Sequence, residues 1–233
     1  MISVQPFENL GRFRNDWLNA RYHFSFGQYR DRARMGVGNL VVWNDDEVAP
    51  GKGFDLHPHK DMEIITYVRA GAITHRDNLG NEGRTEAGDV QVMHAGSGIV
   101  HGEYNEEATP TRLFQIWIHP DRMGVVPGWG ARQFPKSDGG GLVALADGRP
   151  AADGSALPLN ADAAVFAGTL AAGQTVTHRF APGRVGYLVP ATGAVTVNGV
   201  AANTRDGVTI AGEGEVTIRA SAESEVVLVD VRG

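Results

Sequence analysis

The sequence predicts an all-β protein in which two small antiparallel β-barrels follow one another along the chain. Glycine supplies 31 of the 233 residues, above an average usage of about 7%, and so many glycines indicate frequent tight turns between short strands. Short apolar runs bounded by turn residues extend from residue 36 to about residue 133 and return after residue 164. Between them lies a stretch rich in Gly, Asp, Ala and Pro, from Pro135 to Leu159, which predicts a link between two domains.

Individual strands are predicted where apolar runs meet turn residues. In the first series these runs are residues 41–43, 63–68, 90–93 and 113–118. A helix is possible only within residues 9–20, where some apolar residues have helical spacing, although Gly11 interrupts them.

A weak internal repeat supports the two-domain organisation. Residues 186–189, with a glycine shortly after them, echo residues 65–68, which are also followed by a glycine. The repeat predicts that one barrel was duplicated, with an N-terminal domain over residues 1–136 and a C-terminal domain over residues 137–233.

Composition excludes several classes of function. The formal net charge is −6 and no long basic run is present, so direct binding of nucleic acid through its phosphates is not expected. The chain has no cysteine, which excludes disulfides, thiolate metal sites and thiol catalysis. No run has the length or apolar character of a signal peptide or a membrane span. We therefore expect a cytoplasmic protein that does not bind membranes and acts on small molecules.

Two short motifs concentrate metal-binding side chains. His57-Pro58-His59 is followed some forty residues later by His101-Gly102-Glu103. Residues i and i+2 of a strand point the same way and lie roughly 7 Å apart, so each pair can face one ion. Three imidazoles and a carboxylate suit a divalent first-row transition metal. Glu63 has the same parity as Glu103, and the residues alone do not choose between the two carboxylates.

The frame around these motifs resembles a known family. The matching segments are Gly53-Phe54, the run His-Pro-His-Lys-Asp-Met-Glu at 57–63, residues 95–105 and Gln115-Ile116-Trp117. They are similar to the two-part motif of the cupin superfamily and, within it, to the pirin family. Trp17 and residues 23–26 resemble the N-terminal arm of that family. The resemblance implies a bicupin fold, two jelly-roll barrels in tandem, of which only the first keeps its metal ligands.

The resemblance also assigns the ligands and an activity. It implies that His57, His59, His101 and Glu103 bind the metal, with Glu63 supporting the site from outside. Bacterial proteins similar to this chain are known as quercetin 2,3-dioxygenases, which implies a metal-dependent enzyme that opens a flavonol ring with O₂ and releases carbon monoxide. Its partners would be a small aromatic substrate and O₂. Its cofactor would be one divalent metal ion, iron first, with Mn, Co, Ni, Cu or Zn also compatible.

Glu103 is the predicted catalytic residue. Its carboxylate could remove the proton of a flavonol hydroxyl group, which is general-base work. The competing prediction is a metal- or redox-sensing regulatory protein that binds protein partners without catalysis, because eukaryotic pirins act as nuclear cofactors of transcription. The histidine ligands must be neutral to bind, so metal loading is predicted to weaken at about pH 6 or below.

Further residues have weaker predictions. Gln115 lies near the metal if its strand face looks inward. The flat substrate could rest against Phe54, Met93, Phe114 or Trp117, with a plain core position as the equal alternative for each of the four. His94 is expected on an exposed turn, with the mouth of the site as the alternative. Solvent is expected around His75 and His119. His178 has no second metal ligand near it in the sequence, so a surface or strand position is expected for it.

Overall fold

The computed structural model describes residues 1–133 and 141–233, and these residues are almost entirely β. In the first half the strands are β1 (Ile2–Gln5), β2 (Gly11–Arg14), β3 (Leu18–Tyr22), β4 (Leu40–Val48), β5 (Gly53–His59), β6 (Glu63–Ala70), β7 (Ala72–Asp77), β8 (Glu82–Glu86), β9 (Val90–His94), β10 (Ile99–Tyr104), β11 (Thr111–Ile118) and β12 (Gly128–Arg132). A single turn of 3-10 helix covers Phe7–Asn9.

The second half repeats this pattern. Its strands are β13 (Val143–Asp147), β14 (Leu157–Pro158), β15 (Ala163–Leu170), β16 (Thr175–Arg179), β17 (Arg184–Thr192), β18 (Val195–Val197), β19 (Val200–Ala202), β20 (Gly207–Ala211), β21 (Glu215–Ala220) and β22 (Ser224–Arg232). Across the two described ranges, no helix has the length and the apolar character that a membrane crossing requires.

Each half consists of a seven-stranded sheet and a four-stranded sheet. The first half has the orders β12-β9-β6-β11-β4-β3-β2 and β5-β10-β7-β8, and the second has β1-β20-β17-β22-β15-β13-β14 and β16-β21-β18-β19. Strand β5 has the same place in its sheet as β16, β10 as β21, and β6 as β17. The predicted duplication and the bicupin architecture are therefore confirmed, although each barrel is built from two separate sheets.

The chain crosses between the halves at its start. Strand β1 pairs antiparallel with β20, with Ile2 opposite Ile210 and Gln5 opposite Gly207. The first residues of the chain thus extend the sheet of the second half. The predicted domain boundary at 136/137 lies within residues 134–140, outside the described residues, and stays a prediction.

The predicted helix at residues 9–20 is wrong. Strands β2 and β3 form an antiparallel pair there, with Phe13 opposite Ala20. Burial along β3 alternates, because Leu18 and Ala20 are buried while Asn19 between them is exposed, and this period of two outweighs the partial helical spacing. A Cβ atom at Gly11 would lie 2.5 Å from Cδ1 of Tyr29, so the glycine permits a close aromatic contact.

The largest hydrophobic cluster lies between the two halves. It joins side chains of the seven-stranded sheet of the first half to side chains of the corresponding sheet of the second half, for example Trp43 and Phe114 to Tyr187 and Val229. The ring centroids of Trp43 and Tyr187 are 5.5 Å apart. The interior of the second half is filled by a cluster of its own, whereas the interior of the first half contains a cavity.

Buried polar contacts also connect the halves. Asp45 is fully buried and pairs with Arg69 of the first half and with Arg205 of the second. His23 Nδ1 lies 2.9 Å from the Tyr187 hydroxyl group, which places His23 at this interface. A paired buried charge becomes costly when one partner is removed, so these contacts hold the two halves in one arrangement.

Stability should fall in acid partly because of His23. Burial, and then the charges of Arg34, Arg205 and Arg69, lower the pKa of His23 well below its ordinary value. Below about pH 6.5 the unfolded chain therefore binds a proton that folded His23 does not, and the free energy of unfolding falls as the pH falls.

Urea denaturation of His23→Gln checks this expectation. The difference in unfolding free energy between the wild type and His23→Gln should shrink by up to about 1.4 kcal/mol per pH unit below pH 6. The matched control is a second histidine substitution, His119→Gln, because His119 is exposed. A constant difference for His23→Gln would mean that folded His23 binds the proton as readily as the unfolded chain.

Candidate metal centre

Strands β5 and β10 bring three of the predicted ligands together. The two strands are antiparallel, with His101 opposite His57, and His59 follows on the same face of β5. The ring centroids of His57 and His101 are 4.5 Å apart, and those of His59 and His101 are 5.1 Å apart. One ligand nitrogen from each ring lies within 4.8 Å of the others. A Cβ atom at Gly53 would lie 2.2 Å from the Glu103 carbonyl oxygen, so glycine there permits the close approach of β5 and β10.

Contacts on the outer side of the rings orient the imidazoles. His57 Nδ1 lies 2.7 Å from the Asp55 carbonyl oxygen and therefore donates to it, which leaves Nε2 as the basic nitrogen. Nε2 of His59 and Nε2 of His101 are buried and have no hydrogen-bond partner within residues 1–133 and 141–233. Buried polar atoms are rarely left without a partner. Converging unpartnered imidazole nitrogens are the donor set that a transition metal uses, so these residues fit the predicted ion.

His75 supports His101, and the prediction that solvent surrounds His75 is wrong. His75 is fully buried, its Nδ1 lies 3.4 Å from Nδ1 of His101, and its Nε2 lies 3.1 Å from Oδ2 of Asp77. Its ring stacks on Trp129 at 4.9 Å between centroids. A contact on Nδ1 turns Nε2 of His101 towards the other two histidines. The one sequence signal for this arrangement is Asp77, two residues along the same strand.

Glu103 lies in the same cavity but is held by polar neighbours. Its Oε1 accepts hydrogen bonds from Thr66 Oγ1 at 3.0 Å and from Gln91 Nε2 at 2.5 Å, and its Oε2 accepts one from Gln115 Nε2. Gln115 therefore faces inward as predicted. The carboxylate oxygens are not part of the nitrogen group that lies within 4.8 Å. Burial raises the pKa of Glu103 to about 7 against the lowering effect of the three donors. The ligand role of Glu103 stays a prediction.

Glu63 points away from the three converging histidines and towards the second half. It is fully buried, its Oε2 lies 2.6 Å from Nδ1 of His94, and the same oxygen accepts a hydrogen bond from the Asn160 amide at 2.9 Å. This carboxylate joins the halves. His94 is half-buried at the end of β9 instead of lying on an exposed turn, and it is not a cavity-lining residue.

The cavity has a volume of about 700 Å³ and lies between the two sheets of the first half. Phe54 and Trp117 line it as predicted, and four further aromatic side chains that were not predicted to do so also line it: Trp17, Tyr22, Phe26 and Tyr104. Edge-to-face contacts join Trp17 to Phe54 at 5.2 Å and Phe26 to Trp117 at 5.5 Å. The volume and the aromatic lining are typical of a pocket for a small organic ligand.

Two of the predicted aromatic or apolar walls belong to the core instead. Phe114 faces the other side of β11 from Gln115 and packs in the cluster between the halves. Met93 packs with Ile64, Ala95 and Ile99. Adjacent residues of a strand point to opposite faces, and therefore Phe114 and Gln115 cannot both line the cavity.

The second half has different side chains at the equivalent places. His178 lies on β16, the counterpart of β5, and its partner on β21 is Val216 where β10 has His101. His178 is a strand residue, as predicted, and Val216 opposite it is not a metal ligand. It is buried, and its Nε2 lies 2.9 Å from Oδ2 of Asp230. Ile218 stands two positions beyond Val216, as Glu103 stands two positions beyond His101, and it packs in the interior cluster of the second half.

Metal loading should persist to a lower pH than the sequence predicts. Burial, and then the charge of His57, lowers the pKa of His59 to about 4, and burial with neighbouring histidines lowers the pKa of His101 to about 3. A lowered pKa keeps an imidazole neutral in acid, so protons compete with a metal for these two nitrogens only near those values.

Elemental analysis after dialysis checks this expectation. The metal content at pH 5 should equal that at pH 7, and it should fall once the pH is below about 4. Loss of most of the metal at pH 6 would instead agree with histidines of ordinary pKa.

Comparison with known proteins identifies the family. The model of the Pirin family matches residues 4–118, and the model described as the quercetinase C-terminal cupin domain matches residues 147–231. A pirin-like protein of Caulobacter vibrioides is 57% identical over 99% of this chain and 99% of its own length. The chain belongs to the pirin family.

Named relatives of this pirin extend the comparison. Quercetin 2,3-dioxygenase of Escherichia coli K12 is 40% identical over 99% of both chains. The crystal structure of the bacterial pirin YhhW from Escherichia coli in complex with nickel(II) has a TM-score of 0.93 and 37% identity, and it covers 100% of this chain and 99% of that one. The similarity to each relative spans both halves.

Proposed function

We propose that this pirin is a metal-dependent ring-cleaving dioxygenase that opens a flavonol such as quercetin with O₂ and releases carbon monoxide. The observation that carries the proposal is the convergence of three imidazoles on one side of an aromatic-walled cavity of about 700 Å³. The name of the Escherichia coli relative, quercetin 2,3-dioxygenase, supports the substrate class.

His57, His59 and His101 would hold the metal, with Glu103 as the fourth ligand. A divalent first-row ion held by these residues would supply Lewis-acid activation of a substrate oxygen and, for a redox-active metal, access to O₂. Iron is the first candidate. The nickel(II) complex of YhhW supports a transition metal at this site without naming the physiological one.

The aromatic walls would position the substrate. Two aromatic pairs, Trp17 with Phe54 and Phe26 with Trp117, present apolar surface to a flat ring system. A ligand that fills the space between them excludes water from the histidines, and its orientation fixes which hydroxyl group faces them.

Glu103 would accept the proton of that hydroxyl group. A carboxyl group with a pKa of about 7 accepts and returns protons efficiently near neutral pH. Thr66, Gln91 and Gln115 hold its two oxygens in place. Protons can therefore move at a defined position inside the pocket.

Reconstitution separates this function from a regulatory one. Metal-free protein would be loaded separately with Fe, Mn, Co, Ni, Cu and Zn, and quercetin loss, O₂ uptake and carbon monoxide release would be followed together. Release of one carbon monoxide per O₂ consumed with at least one metal supports the dioxygenase. Stoichiometric metal binding without turnover under any metal would contradict it and favour a metal-sensing role.

A further inference from the structure

One wall of the cavity presents hydrogen-bond acceptors that no protein group satisfies. Oδ1 of Asn44, Oδ1 of Asp46 and Oε1 of Gln115 are buried, and within the described ranges none of these three oxygens has a hydrogen-bond partner. All three residues line the same cavity as the histidines. Asn44 and Asp46 are only 4% and 3% exposed, so bulk solvent does not reach them freely.

The strand geometry places these oxygens together on the large sheet. Asn44 and Asp46 are two residues apart on β4 and share a face, whereas Asp45 between them points to the interface between the halves. Asn44 lies opposite Gln115 of the neighbouring strand β11, and directly opposed side chains are neighbours on an antiparallel sheet. The histidines belong to the other sheet of this half, on β5 and β10.

The chemistry of this wall favours a neutral ligand that carries hydrogen-bond donors. Buried acceptors are nearly always paired with donors, so the three unpartnered oxygens favour a ligand that brings hydrogen-bond donors. Burial, and then the charges of Asp45 and Glu103, raise the pKa of Asp46 well above its ordinary value. An uncharged carboxyl group can both accept from and donate to a hydroxyl group, which suits a phenol better than a cation.

We propose that Asn44, Asp46 and Gln115 form a hydroxyl-recognition wall that selects flat aromatic ligands with several hydroxyl groups over those that carry only the hydroxyl group facing the histidines. The inference rests on the proposed function in one respect, because it places the substrate in the same cavity. It adds the residues that set a preference among flat aromatic ligands according to their number of hydroxyl groups.

Binding to the zinc-loaded wild type is the first test. Zinc has no redox chemistry, so ligands can be titrated without being consumed. The probes are quercetin and 3-hydroxyflavone, which has the same ring system but only the one hydroxyl group, and binding is followed by quenching of tryptophan fluorescence and by calorimetry. Quercetin should bind at least about tenfold more tightly. Equal affinities for the two ligands would overturn the proposal, because that is the result expected if the wall only binds water.

Substitutions in the wall are the second test. Asp46→Leu and Asn44→Leu remove acceptors while keeping the approximate volume, so each should reduce the quercetin preference to about threefold or less and leave the affinity for 3-hydroxyflavone unchanged. Glu47→Leu is the matched control, because Glu47 is adjacent on β4, faces away from the cavity and pairs with Arg112. A preference that survives in both wall variants would overturn the proposal.

Folding and metal content are measured in each variant by thermal unfolding and elemental analysis. If Asp46→Leu does not fold, the proposal is still tested by Asn44→Leu and by the ratio of quercetin to 3-hydroxyflavone affinity in the wild type. The outcome is also separate from turnover. A quercetin preference that depends on the wall, together with absence of carbon monoxide release under every metal, would retain the wall and reject the dioxygenase. Carbon monoxide release together with a quercetin preference that is unchanged in the wall variants would support the dioxygenase and reject the wall.

Discussion

Replacing Glu103 with glutamine should abolish flavonol turnover while the fold is retained. A glutamine has the same shape but cannot accept the substrate proton, and loss of a general base lowers a rate by roughly 10²–10⁴-fold. The neighbours can adapt, because Gln115 has a free Oε1 and can reverse its amide to accept from the new side chain. Steady-state kcat of the metal-loaded protein, with its thermal unfolding curve, gives the answer.

Glu63→Gln is the matched control for this variant. Glu63 is equally buried and lies in the same half, but it contacts His94 and Asn160 and not the cavity. We expect near wild-type turnover with reduced stability. Wild-type turnover in Glu103→Gln together with loss of turnover in Glu63→Gln would reverse the choice between the two carboxylates that the sequence alone left open.

Replacing His101 with alanine should remove metal binding. His101 is the histidine whose ring lies close to both of the others, and two imidazoles retain a divalent ion far more weakly than three. We expect the affinity for zinc to fall by more than about 100-fold. Competition with a chelator of known affinity measures the change, and elemental analysis of purified protein should find no stoichiometric metal.

A graded pair of variants separates ligation from support. His75→Phe keeps an aromatic ring on Trp129 but removes the contact with His101 Nδ1, and such supporting contacts are typically worth 10- to 100-fold in metal affinity. His178→Ala changes the counterpart strand of the second half and should leave metal content unchanged. Stoichiometric metal in His101→Ala, or a larger loss in His75→Phe than in His101→Ala, would contradict the assignment.

Strand parity predicted the histidines well because it is a local rule. His57 and His59 share a face of one strand, and the family frame placed His101 on its partner, where the structure brings all three together. The same rule puts Gln115 and Trp117 on one face of residues 113–118 and Phe114 on the other, so it already argued against Phe114 as a wall of the cavity. The helix at residues 9–20 was wrong because the alternating burial of β3 depends on what packs against it.

Other parts of the site depend on contacts between distant residues. His75 acquires its role from His101 on the neighbouring strand and from Trp129, and Glu63 acquires its role from Asn160 of the other half. No spacing rule connects such residues. The sequence does not predict the pairing of β1 with β20 either, because four extended residues can pair with many possible sheet edges.

The position of the main hydrophobic cluster has a consequence for how this protein can change. Among the described residues, the largest cluster joins the halves and contains none of the residues that line the cavity. Exchanging cavity-lining side chains should therefore leave the contact between the halves in place, and the first half isolated at residue 133 should expose a broad apolar sheet and aggregate. The cavity lining can thus differ among relatives while the packing between the halves is kept, provided that both halves stay on one chain.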